Sequence, residues 1–104
     1  MDKFENRLQE KFKVAAIQFC PNEEKEENLR LISRFIDTAV ENDADIVVLP
    51  EMFNCCGHGE VMIENAEHIP GYTTNFLSDI ARRFKICIVC GSIFEKFQKG
   101  KVFN

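Results

Sequence analysis

Apolar residues fall into two rhythms along this chain. Ile46-Val47-Val48-Leu49 is an unbroken, β-branched run that ends in Pro50 and Glu51, and Ile86-Cys87-Ile88-Val89-Cys90 repeats the pattern. Lys13 to Phe19 is a third short, mostly apolar run. Runs of this length and composition predict strands of a parallel sheet buried on both faces. Between Phe19 and Ile46, Leu29, Ile32, Phe35, Ile36, Ala39 and Val40 recur at helical spacing, with Arg30, Arg34, Asp37 and Glu41 opposite. They predict a helix over about 24–41, capped by Asn22, with Glu23, Glu24, Glu26 and Glu27 at its positive end. Phe76, Leu77, Ile80, Ala81 and Phe84 form the stripe of a second helix, capped by Thr73 or Thr74. Met52 to Tyr72 reads as an irregular stretch around Gly57, Gly59, Pro70 and Gly71, with a short helix near 60–66. Such a long connection at the carboxyl end of a strand is where active-site loops sit. Lys96 to Lys101 reads as a polar turn, and Val102-Phe103 as the start of a further strand.

The order β-α-β-α-β predicts an α/β fold with a parallel sheet and right-handed crossovers. Three strands and two helices make an incomplete layer, so one sheet face and at least one edge should lie open. The last strand reads as cut at Asn104. Residues 1–11 read as a charged lead-in, in which Phe4 and Leu8 could form one weakly amphipathic turn.

At 104 residues the chain is at most one small domain. The 45% hydrophobic and 29% charged content suits a folded globular protein. A net charge of −4 without a basic block leaves no electrostatic footprint for nucleic acid. No apolar run approaches the roughly 20 residues of a membrane span. The segment Met1-Asp2-Lys3-Phe4-Glu5-Asn6-Arg7 is charged where a signal peptide needs apolar residues, which predicts a cytoplasmic protein. There the five cysteines should be reduced thiols.

No cofactor or metal is expected. Cys55-Cys56-x-His58, with His68 beyond, matches no zinc spacing, and the Glu23–Glu27 cluster reads as solvated charge at a helix end. Cys87-x-x-Cys90 lies along a strand, where positions three apart face opposite ways, and reads as core. A nucleophile at Cys55 or Cys56, activated by His58 or Glu51, is chemically feasible, but no spacing favours it over ordinary loop thiols.

Glu51 is the best chemical candidate. Pro50 has no N–H for the ladder, so pairing should stop there. The carboxylate then emerges at the carboxyl rim of the sheet, where α/β folds place ligands. Position alone does not separate that role from an ordinary surface acid.

Several segments together resemble the N-terminal portion of the nitrilase superfamily, the carbon–nitrogen hydrolases. They are Lys13-Val14-Ala15-Ala16-Ile17-Gln18, Asn28, Ala44-Asp45-Ile46-Val47-Val48-Leu49-Pro50-Glu51, Ile69-Pro70-Gly71, Cys90-Gly91-Ser92-Ile93 with Glu95, and Val102-Phe103-Asn104. Pro50-Glu51-Met52-Phe53-Asn54 and Asn65-Ala66-Glu67-His68-Ile69-Pro70-Gly71 look most like the omega-amidase branch, which deamidates small dicarboxylic acid monoamides. Cys90 departs from it, standing where glycine commonly precedes the Gly-Ser pair. The resemblance implies that 12–104 is the first part of an α-β-β-α sandwich domain that takes a small-molecule amide and pairs as a homodimer.

It also implies a mechanism in which a cysteine attacks the amide, a lysine stabilises the oxyanion and a glutamate relays protons. Glu51 falls on that glutamate. None of Lys96, Lys99 and Lys101 sits in the lysine motif, and none of the five cysteines occupies the nucleophile elbow. Three explanations stay open: part of a longer amidase; a non-catalytic relic or isoform that binds a partner through its open sheet; or a small self-sufficient enzyme using Cys55 or Cys56.

Overall fold

The computed structural model describes residues 11–98 and 101–103. The Phe4–Leu8 turn therefore lies outside the described residues. β1 (Val14–Ala16), β2 (Ile46–Val48) and β3 (Cys87–Val89) form one parallel sheet in the order β1-β2-β3. Helix α1 (Lys25–Glu41) joins β1 to β2. Helices α2 (Glu60–Asn65) and α3 (Tyr72–Phe84) lie between β2 and β3. β4 (Glu95–Gln98) and β5 (Lys101–Phe103) close the described chain as an antiparallel hairpin. Among the described residues no helix is long and apolar enough to cross a membrane.

The strand order explains where the core sits. Successive parallel strands added in one direction by crossovers of one hand place every crossover helix on the same face of the sheet. The register sets Ala15, Val47 and Ile88 in one row, and these pack with Ile32 and Ile36 of α1 and Leu77 and Ile80 of α3. Val47, Ile32 and Ile36 are wholly buried. The alternate row, Val14–Ile46–Cys87 and Ala16–Val48–Val89, has no helix over it among the described residues. Val14 stays 55% exposed and Val89 48%.

The expected open face is therefore present, and it corrects two readings. The strands are not buried on both faces, and Cys87 and Cys90 are solvent-exposed rather than core. Apolar composition marks a residue that suits burial; whether a neighbour covers it is decided by the layers around it. The strands are also shorter than the apolar runs, although Ile17 N–H and Leu49 N–H extend the ladder to Val48 O and Val89 O at 2.9 and 3.1 Å.

The expected polar turn from Lys96 to Lys101 is shortened from both ends, since Lys101 belongs to β5. Lys96, Phe97 and Gln98 belong to β4, which pairs Glu95 with Phe103 and Lys96 with Val102 and shifts register at Phe97. β4 carries little apolar signal because Phe97 stands alone among Glu95, Lys96 and Gln98, and it is itself 55% exposed. Neither Thr73 nor Thr74 is the cap residue of α3. Gly71 holds that position, and the Thr74 hydroxyl accepts its N–H at 2.7 Å. Similarly, α1 starts after Glu24, while Asn22 Oδ1 accepts the Glu24 N–H at 2.8 Å just ahead of the helix.

Candidate active site

Glu51 sits where the pattern placed it. The ladder ends at Leu49, Pro50 donates nothing, and Glu51 turns out of the sheet as an exposed residue. It lines an open cleft of about 640 Å³ with Gln18, Phe19, Cys20, Pro21 and Pro50. These are the segments that follow β1 and β2, so the cleft lies outside the carboxyl ends of adjacent parallel strands. The next residue, Met52, has φ 50°, a left-handed conformation uncommon for a side-chain-bearing residue and frequent at functional turns. Its N–H donates to Ser92 Oγ at 3.3 Å, tying the turn after β2 to the segment after β3.

Below this turn lies a buried polar cluster. Phe53 is fully enclosed, and Asn54 is 1% exposed. Asn54 Nδ2 donates to Glu67 Oε2 at 3.1 Å and to Thr73 Oγ1 at 3.0 Å. Glu67 Oε2 also accepts the Lys25 ammonium at 2.8 Å and the Thr73 hydroxyl, while Oε1 accepts the Thr73 N–H at 2.6 Å. Burial alone would raise the Glu67 carboxyl. The bonds from Lys25 and Thr73 and the Lys25 charge outweigh it and hold the group below the usual carboxylate value. Asn28 closes the cluster from α1: its Nδ2 donates to Asn54 O at 2.9 Å and Asn22 O at 2.8 Å, and its Oδ1 accepts Asn22 N–H at 3.0 Å. Among the described residues, Asn54 Oδ1 is the buried side-chain polar atom left without a partner.

The other candidates do not join the cleft. Cys55 is buried, and its Sγ donates to Glu23 O at 3.4 Å. Burial pushes its thiol above 9.0; Lys25 opposes this, and Cys56, Glu23 and Glu24 add to it. A buried, protonated thiol is a poor nucleophile. His58 and His68 are exposed, and Cys56 is half-buried with its N–H on Asn22 O at 2.9 Å.

Sequence reasoning missed the roles of Lys25, Asn54, Glu67 and Thr73. Part of the signal was available. Asn28 precedes Ile32 and Ile36 by four and eight positions, and Thr73 precedes Leu77 by four, so both polar residues lie on buried stripes. Glu67 and Asn54 sit in irregular backbone with no period to betray them.

The sequence signature described as carbon–nitrogen hydrolase matches residues 13–104. This chain belongs to that family. It is 38% identical over 94 residues to the omega-amidase NIT2 of Xenopus tropicalis, which covers 90% of this chain and 34% of the relative. The Homo sapiens omega-amidase NIT2 is also 38% identical, over 89% of this chain and 33% of its own length. The carbon–nitrogen hydrolase segment thus spans about a third of the curated relatives it matches.

Saccharomyces cerevisiae Nit3, a nitrilase-superfamily protein, superposes with a TM-score of 0.77 at 32% identity, over 89% of this chain and 37% of that one. The Xanthomonas campestris protein XC1258 shares the fold, with a TM-score of 0.75 at 23% identity over 89% of this chain and 34% of that one. The nitrilase-type α/β fold is thereby established, and the resemblance to the omega-amidase branch is carried by the curated relatives.

Proposed function

We propose that this segment supplies the proton-transfer carboxylate of an omega-amidase-like carbon–nitrogen hydrolase, and that Glu51 is that group. The observation that carries the proposal is the placement of Glu51 in a cleft outside the carboxyl ends of β1 and β2, on a rigid strand exit. Family membership supports amide hydrolysis as the reaction class. Glu51 takes the proton of a nucleophilic thiol, and the thiolate attacks the amide carbon. The carboxyl then passes the proton to the departing ammonia, leaving a thioester. Glu51 next deprotonates water, which attacks the thioester and releases the acid while the proton returns to the thiol.

The cysteine and the oxyanion-stabilising lysine belong, in this reading, to the two thirds of the relatives' length that the segment does not match. The buried, protonated Cys55 argues against a nucleophile inside the segment. The open row of Val14, Ile46, Val48, Cys87 and Val89 suits the inner face of the family's sandwich, to be covered by its second sheet.

The test is ammonia release from a dicarboxylic acid monoamide by the protein translated from the complete transcript. Glu51→Gln lowers kcat by about 10² to 10⁴. The 104-residue chain alone is inactive. An unimpaired Glu51→Gln enzyme rejects the assignment. Activity of the short chain that disappears in Cys55→Ala or Cys56→Ala would restore the self-sufficient alternative.

A further inference from the structure

Between Glu51 and Gly71 only α2 is regular, yet this long connection is fastened around one buried carboxylate. The Glu67 side chain meets Lys25 of α1, Asn54 of the loop itself and Thr73 in the first turn of α3. Its backbone joins the hairpin, with its N–H on Phe94 O at 3.0 Å and its carbonyl accepting Lys96 N–H at 2.7 Å. Lys25 Nζ reaches Asn65 O at 2.8 Å as well, holding the end of α2. Four separate pieces of backbone thus converge on Glu67.

Glu67 is also connected to the proposed base. Asn54 lies three positions after Glu51, and its side chain and carbonyl are held by Glu67, Thr73 and Asn28. Of the two residues between, Phe53 is fully enclosed and Met52 is tied to Ser92 Oγ. The three residues that follow Glu51 are each fixed, and the last of them depends on the Glu67 carboxylate.

We infer that Glu67 is the positioning residue for Glu51: its ionised carboxylate gathers Lys25, Asn54 and Thr73 and so sets the direction in which Glu51 leaves the sheet. The inference rests on the catalytic reading of Glu51 for its functional meaning, and on geometry alone for the lock. Oε2 accepts three donors and Oε1 a fourth, so the site demands an acceptor-only group. A glutamine of the same shape keeps one acceptor and turns an NH₂ toward donors.

Amide hydrogen exchange and carboxyl NMR on the 104-residue chain test the lock. In Glu67→Gln, amides over 53–66 exchange about 100-fold faster, as expected when a buried charge pair is broken, while those of β1–β3 change far less. The Glu51 carboxyl resonance moves. Ile80→Val, a core truncation in α3, supplies the contrast: it accelerates protected amides together and leaves the Glu51 resonance in place. Uniform acceleration in Glu67→Gln, or an unmoved Glu51 resonance, overturns the inference.

Should Glu67→Gln not fold, Asn54→Ala removes the link to Glu51 but leaves the Lys25–Glu67–Thr73 contacts. It must then loosen 52–58 and move the Glu51 resonance; unchanged protection there refutes the lock. Failure of the catalytic reading shows separately, as an active Glu51→Gln enzyme with the exchange pattern intact.

Discussion

Replacing Asn28 gives a sharp test of how α1 holds the active-site loop. Asn28 is 3% exposed and makes three hydrogen bonds, at 2.8, 2.9 and 3.0 Å. In Asn28→Ala the Asn54 carbonyl loses this donor in the interior, a cost of about 1–3 kcal/mol. The two bonds to Asn22 cost less, about 0.5 kcal/mol each, because that residue is exposed and rehydrates. Alanine returns about 0.7 kcal/mol of helix propensity. The net loss is about 2 kcal/mol.

Asn28→Asp is nearly isosteric and should be worse. One oxygen still accepts Asn22 N–H, but the other replaces an NH₂ that faces two carbonyl oxygens. A buried charge against acceptors costs several kcal/mol, of which the helix N-terminus offsets about 0.5. Urea unfolding at pH 7, with m of about 1–3 kcal/mol/M, should show a midpoint lowered by about 1 M for alanine and about twice that for aspartate. An aspartate variant as stable as the alanine variant, or an alanine variant within about 0.5 kcal/mol of wild type, refutes the assigned orientation.

Acid should release the Glu67 lock. The folded carboxyl is held below 4.5, so its stabilising contribution is complete above that pH and is lost as pH falls through the folded value. Thermal unfolding of wild type and Glu67→Gln should therefore converge below pH 4.5 and separate above it; parallel curves would contradict the ionised site. Gly71→Ala places a Cβ 2.2 Å from His68 O, a backbone atom that cannot swing aside, and should cost about 2–3 kcal/mol by calorimetry. Unchanged melting would show that the turn relaxes freely. In thiol labelling of the 104-residue chain at pH 8, Cys20 and Cys87 should react promptly, and Cys55 only as fast as the chain opens. Prompt labelling of Cys55 would place it outside the core.

The parts of the fold legible in the sequence are those with a period. The α1 stripe from Leu29 to Val40 is real to within one residue at its start, because burial on one side of a long helix repeats along it. The strand runs around Val47 and Ile88 were equally plain, and Pro50 correctly marked where the ladder stops. Glu51 was legible as a rim carboxylate for the same reason: a strand has a direction, and a residue just beyond its carboxyl end emerges at one side of the sheet.

Cys87 and Phe97 show where the pattern misleads. Both are apolar and exposed, one on a sheet face that no helix covers among the described residues, the other on a hairpin whose partner strand is three residues long.

Local chemistry by itself therefore determined the helices, the parallel strands, the strand exit at Pro50-Glu51 and the family wording around it. Those depend on residues adjacent in sequence or one turn apart. Tertiary structure decided which sheet face is covered, that Cys55 is enclosed, and that Glu67, Lys25, Asn54, Thr73 and Asn28 form one cluster. Lys25 and Glu67 are 42 positions apart, and neither side chain has meaning as a partner until α1 and the loop ahead of α3 fold together. A buried polar bond is a relation between distant residues, and no local period encodes it.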